Sequence, residues 1–151
     1  MERNSWGVSL FSDDVRFEVG GKISLIGIYT IDMIVGSAYP LLIPKLFVSI
    51  RYFEIRDAFV EDLVVKIFLP GIEEPFFEQR IPRPPREAVI EPYPVEEDGS
   101  SVIFIHLVQP LQNVPILKEG PIRVRMHCGD VVTQLGRLVV RAARPDEQLV
   151  F

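Results

Sequence analysis

A chain of 151 residues, 48% of them hydrophobic, is sized for one domain (1–151) that buries about 70% of its unfolded surface. Its net charge of −5 argues against general affinity for nucleic acid, which rests on a basic footprint. A single cysteine, Cys128, excludes an intrachain disulfide, and no run of about 18 uncharged apolar residues is present to span a membrane. The opening MERNSWGVSLF has no secretory apolar core, and with the lone cysteine this points to the reducing cytoplasm.

Taken in chain order, Trp6, Val8 and Leu10 alternate with Gly7 and Ser9 as a short strand. Beyond Ser12-Asp13-Asp14, the alternation of Val15, Phe17 and Val19 favours a second strand over a single capped helical turn. Gly20-Gly21 can take φ > 0 twice without a Cβ penalty, as a tight hairpin turn requires. The apolar run 22–29 then reads as the returning strand, with Gly27 marking a bulge or a close backbone approach.

The string formed by Asp13, Asp14, Val15, Arg16, Glu18, Gly20, Gly21, Lys22, Ser24, Leu25, Gly27 and Tyr29 resembles a family of small bacterial and phage-associated proteins known only as a domain of unknown function. Looser similarity continues at a Pro-Lys-Leu strand opening at Pro44 and a Gly-Pro strand opening at Gly120. The resemblance implies a common β-sandwich fold and brings no catalytic residues with it.

Residues 30–42 predict a short strand around Met33 to Val35 followed by a loop. Pro44 introduces a strand over 45–55, whose Leu46, Val48, Ile50 and Tyr52 share one face. Another strand places Leu63, Val65, Ile67 and Leu69 on one side, and Leu69-Pro70-Gly71-Ile72 has the residues of a type II turn leading to a strand over 76–81. Pro82-Arg83-Pro84-Pro85 is a stiff extended connector between sheets, a reading favoured over a polyproline ligand because it lies inside the chain.

A weak strand over 88–91 leads through the acidic turn Glu96-Glu97-Asp98 to a strong strand over 101–108, then to a long loop over 109–120 with Pro110 and Pro115. The last hairpin turns at Gly129-Asp130 and sets Val131, Thr133 and Leu135 opposite Cys128, Met126 and Val124. Because Leu138 and Val140 also want the core, a bulge at Gly136 or Arg137 should flip the phase. Pro145 ends the strand, and 145–151 is expected to fray. Eight or nine short strands without helical periodicity indicate an all-β, antiparallel two-sheet sandwich, immunoglobulin-like or C2-like.

Chemistry-bearing residues are few. His106 and His127 lack metal-ligand spacing, and consecutive strand positions aim His127 and Cys128 to opposite faces. A Cys128–His106 dyad would need chance proximity across the sheets, so Cys128 reads as a small buried hydrophobe. Asp13, Asp14 and Glu18 are the candidates for Ca²⁺ or proton-sharing chemistry, set against a structural reading in which Asp13 caps backbone amides and Asp14 pairs with Arg16 or Lys22. Arg123 and Arg125, with Arg137 and Arg141, form a candidate binding face of forked donors.

With no convergent nucleophile, base or metal set, the expectation is a protein without a cofactor that binds a protein partner or itself. A homodimer through exposed strand edges fits that reading. The alternative is a hydrolase or Ca²⁺-dependent binder using the Asp13-Asp14 end.

Overall fold

The computed structural model describes residues 4–36, 38–83 and 101–147. Alternation of β-branched and aromatic residues with polar ones becomes strand throughout. The elements are β1 (Ser5–Phe17), β2 (Ile23–Ile28), β3 (Asp32–Val35), β4 (Leu41–Ile55), β5 (Leu63–Phe68), β6 (Phe77–Ile81), β7 (Val102–Ile116), β8 (Gly120–Cys128) and β9 (Val131–Ala142). They form a four-stranded sheet ordered β2-β1-β4-β7 and a five-stranded sheet ordered β3-β9-β8-β5-β6. This is the all-β two-sheet sandwich expected from the sequence. Every pairing among these strands is antiparallel except that of β3 with β9, which run parallel.

The inward sides of both sheets interleave in one core. Leu46, Val48, Ile50 and Tyr52 of β4 meet Leu63, Val65 and Ile67 of β5 and Ile122, Val124 and Met126 of β8 in a single buried cluster. Each set shares a face because side chains alternate along a strand.

Several local expectations hold. Gly20 and Gly21 take φ of 84° and 74° at the turn joining β1 to β2. At Gly27 the φ is 67°, and a Cβ there would run into the Asp13 carboxylate, so the close approach is by a side chain of the paired strand. The Ile72 amide donates to the Leu69 carbonyl at 3.2 Å, closing the turn before β6.

Other expectations are corrected. The two segments before Gly20 are one strand, since β1 pairs with β4 through Ser12 and then with β2 through Phe17. Pro44 lies inside β4 rather than at its start. The loop expected over 109–120 is mostly strand: β7 runs to Ile116 and pairs with β4 along its whole length. Because β7 is the edge of its sheet among the described strands, one side of its backbone has no neighbouring strand among the described residues, and prolines are tolerated there.

The bulge in β9 is real but sits one residue earlier than expected. Arg125 pairs with Gln134 while Val124 pairs with Gly136, which makes Leu135 the extra residue. The extra residue turns Leu135, Leu138 and Val140 inward and leaves Arg137 opposite Arg123 on the outside. The expected strand over 88–91, the acidic turn at 96–98, Pro84-Pro85 and the last residues, 148–151, lie outside the described residues.

Candidate functional site

The carboxylates before the glycine turn are each drawn to a different partner. The Tyr29 hydroxyl donates to Asp13 Oδ1 at 2.5 Å, and burial together with that carboxylate pushes the Tyr29 phenol up to about 12. Asp14 receives Lys45 Nζ at 2.9 Å, from β4 rather than from the expected Arg16 or Lys22, and this bond lowers its pKa. Asp13 likewise accepts a phenol instead of the expected backbone amides. Glu18 accepts from Ser24 Oγ at 2.9 Å across the hairpin. Asp13 and Asp14 thus brace β1 against Tyr29 and β4, and Glu18, just beyond β1, ties the hairpin to β2. Among the described residues no three of His, Cys, Asp and Glu are grouped to hold a metal ion.

The arginines fall into two kinds. Arg141 donates through Nε to Asp32 at 2.7 Å and through Nη1 and Nη2 to Glu147 at 2.7 and 2.6 Å. That clamp holds the Glu147 carboxyl down to about 2, with the Arg144 amide assisting, and ties the chain after β9 to β3. Arg141 therefore has no fork left to offer and departs from the expected binding set.

Arg123 and Arg125 are different. Residues alternating with Ile122, Val124 and Met126 point out of the sandwich, and register sets Arg123 beside Phe68 and Arg137, and Arg125 beside Lys66 and Gln134. Both guanidiniums lie 5.5 Å from the centroid of the Phe68 ring. Phe68 is the part of the site that period-2 reading missed, since it lies out of phase with the core positions of β5. Lys66 is answered by Glu78 at 3.2 Å, whereas no carboxylate among the described residues pairs with Arg123, Arg125 or Arg137. His127, next along the same face, has a half-buried ring whose Nε2 has no hydrogen-bond partner among the described residues. Burial, then Lys66 and Arg125, lower its pKa and favour the neutral ring.

A second polar group lies inside the sandwich. Glu54 is 1% exposed, accepts the Tyr52 hydroxyl at 2.9 Å, and is gripped by both terminal nitrogens of Arg83. Burial, and then the Glu54 charge, raise the Tyr52 pKa, while hydrogen bonding to Glu54 raises that of Arg83. Cys128 Sγ completes the group, 3.4 Å from the Glu61 carbonyl and 3.5 Å from Arg83 Nη2. Cys128 is buried as expected but lies among polar atoms rather than purely apolar ones. His106 stands on the outer face of the other sheet, beside Arg51, so it is not brought to Cys128.

The signal for this network was available. Glu54 follows Leu46, Val48, Ile50 and Tyr52 in the same inward phase, and a glutamate there demands a buried cation. No helix among the described residues is long and apolar enough to cross a membrane. No family model, curated protein or solved structure matches this chain.

Proposed function

We propose that this chain is a non-catalytic β-sandwich module that binds an acidic segment of a protein partner through Arg123, Arg125 and Arg137. The observation that carries this reading is the set of three guanidiniums that no carboxylate among the described residues answers, two of them over one aromatic ring, in a chain whose net charge is −5. Like charges directly opposite one another on a sheet destabilise it, as Arg123 and Arg137 do here. A carboxylate-bearing partner would relieve that repulsion and take bidentate hydrogen bonds from each fork. Phe68 supplies an apolar platform that holds two of the forks in place. A second copy of the chain fits this face poorly, because a two-fold contact would set the same cations against themselves.

The test is an NMR titration with a hexaglutamate peptide at about 0.15 M ionic strength, where surface charges beyond roughly 8 Å are screened. Saturable shifts at Arg123, Arg125, Arg137 and His127, lost in an Arg123→Ser/Arg125→Ser variant that melts normally, support the proposal. Capture from host lysate with the same variant as control then identifies the partner. Undiminished binding of either probe by the variant would remove this face from consideration.

A further inference from the structure

The outer face of the four-stranded sheet holds a feature that the arginine face does not explain. Register aligns three rows across β1, β4 and β7: Trp6 with Phe53 and Phe104, Val8 with Arg51 and His106, and Leu10 with Ser49 and Val108. The first row is a run of contacting rings, Trp6 stacked on Phe53 with centroids 5.7 Å apart and Phe104 tilted against Phe53 at 5.0 Å. Beside it, Ile23 and Leu25 of β2 join Val8, Leu10, Ser49, Arg51 and His106 around a cleft of ≈ 130 Å³.

The lining is chemically divided. Val8, Leu10, Ile23 and Leu25 make apolar walls. Ser49 is 4% exposed, and its Oγ has no hydrogen-bond partner among the described residues. A buried hydroxyl left without a partner has given up its hydrogen bonds to water for nothing, so an outward-facing serine at this place calls for one. Arg51 stands on the same strand two residues on, with no ion pair to a carboxylate among the described residues. His106, its cross-strand neighbour, is held toward the neutral form by burial and then by the Arg51 charge. A hydroxyl donor, a guanidinium and an imidazole therefore meet beside an apolar pocket, which is the pattern of a small-molecule site.

We infer that this cleft binds a small branched carboxylate, its alkyl end against Val8, Leu10, Ile23 and Leu25 and its carboxylate toward Ser49 Oγ, Arg51 and His106. Size sets the class: an apolar cavity of about 150 Å³ accepts benzene, so this one takes roughly six or seven non-hydrogen atoms. Charge sets the head group, because a guanidinium cation, an imidazole and a hydroxyl line the cleft with no carboxylate among its described lining residues. The inference is independent of the arginine face, which lies on the other sheet.

The experiment is a titration of the whole chain with 3-methylbutanoate, followed by amide and methyl NMR, with 3-methylbutan-1-ol and acetate as parallel arms. The acid should bind with a dissociation constant near about 1 mM, moving Val8, Leu10, Ile23, Leu25 and His106, and should raise the His106 pKa. Acetate tests charge alone and the alcohol tests shape alone; both should bind at least tenfold more weakly. Arg51→Met should weaken the acid at least tenfold. Leu10→Trp, which fills the cleft from an exposed position, should abolish binding even with Arg51 in place. The Arg123→Ser/Arg125→Ser variant should bind the acid unchanged. Absence of saturable shifts, equal binding of the alcohol, or full binding by Leu10→Trp would each overturn the inference.

Discussion

Glu54 is the residue whose environment leaves it least choice. It is a carboxylate inside a sandwich core, made tolerable by the Tyr52 hydroxyl at 2.9 Å and by the fork of Arg83, whose side chain is 19% exposed. Removing one member of a buried pair strands the other, which typically costs about 3–5 kcal/mol, whereas replacing both by apolar groups can be near neutral. Arg83→Ala should therefore lower the urea-unfolding free energy by about 3 kcal/mol or more, and Glu54→Leu/Arg83→Met should recover most of that loss. Equal loss in the single and double variants would mean that Arg83 acts through packing of its stem. Asp13 makes a milder case. Asp13→Asn removes a charge beside the Tyr29 phenol and should bring its pKa down from about 12 toward 10, leaving the part due to burial; ultraviolet difference titration reads this directly.

At the scale of the element, strand edges explain both what the sequence revealed and what it hid. Inward phases of β4, β5 and β8 were legible because a face that must bury four residues in alternation has only one strand register. The hairpin turn at Gly20-Gly21 was legible for an equally local reason. By contrast, the second half of β7 read as loop because Pro110 and Pro115 break the period, and only knowledge that β7 is an edge makes them compatible with strand. Asn113 lies between them at φ 51°, a conformation that asparagine tolerates better than most residues. The arginine face was half legible: alternation put Arg123 and Arg125 outside, but nothing local separates them from Arg141, whose partners Asp32 and Glu147 are 109 and 6 residues away. Prolines on an edge also block pairing with another chain. Pro110→Thr/Pro115→Thr should therefore restore edge donors and raise the concentration-dependent mass measured by light scattering above that of the unsubstituted chain. An unchanged mass would assign the two prolines to local geometry alone.

For the whole molecule, the distribution of charge matters more than its sum. The chain is acidic, yet cations crowd the outer face of the five-stranded sheet, and each histidine stands beside cations on its own face. His127 faces Lys66 on β5, Arg125 on β8 and Glu78 on β6; His106 faces Arg51 on β4. Both are shifted downward, mainly by burial, so below about pH 6.5 the unfolded chain takes up their protons before the folded chain does. Folding stability should thus be fully present above about pH 6.5 and decline as the pH falls below it. A second decline should open below 4.5 and continue toward about 2, as Glu147 is protonated and Arg141 loses its clamp. Urea unfolding across this range checks both windows. His106→Asn/His127→Asn should flatten the first and leave the second, while Glu147→Gln should leave the first and reduce the second, the remainder belonging to the lowered carboxyls of Asp14 and Asp62. Hexaglutamate bound on the arginine face places carboxylates near His127 and should raise its pKa, shrinking the first window in the unsubstituted chain. In Arg123→Ser/Arg125→Ser the peptide should have no such effect, so the pH dependence of stability reports directly on whether that face has found its anion.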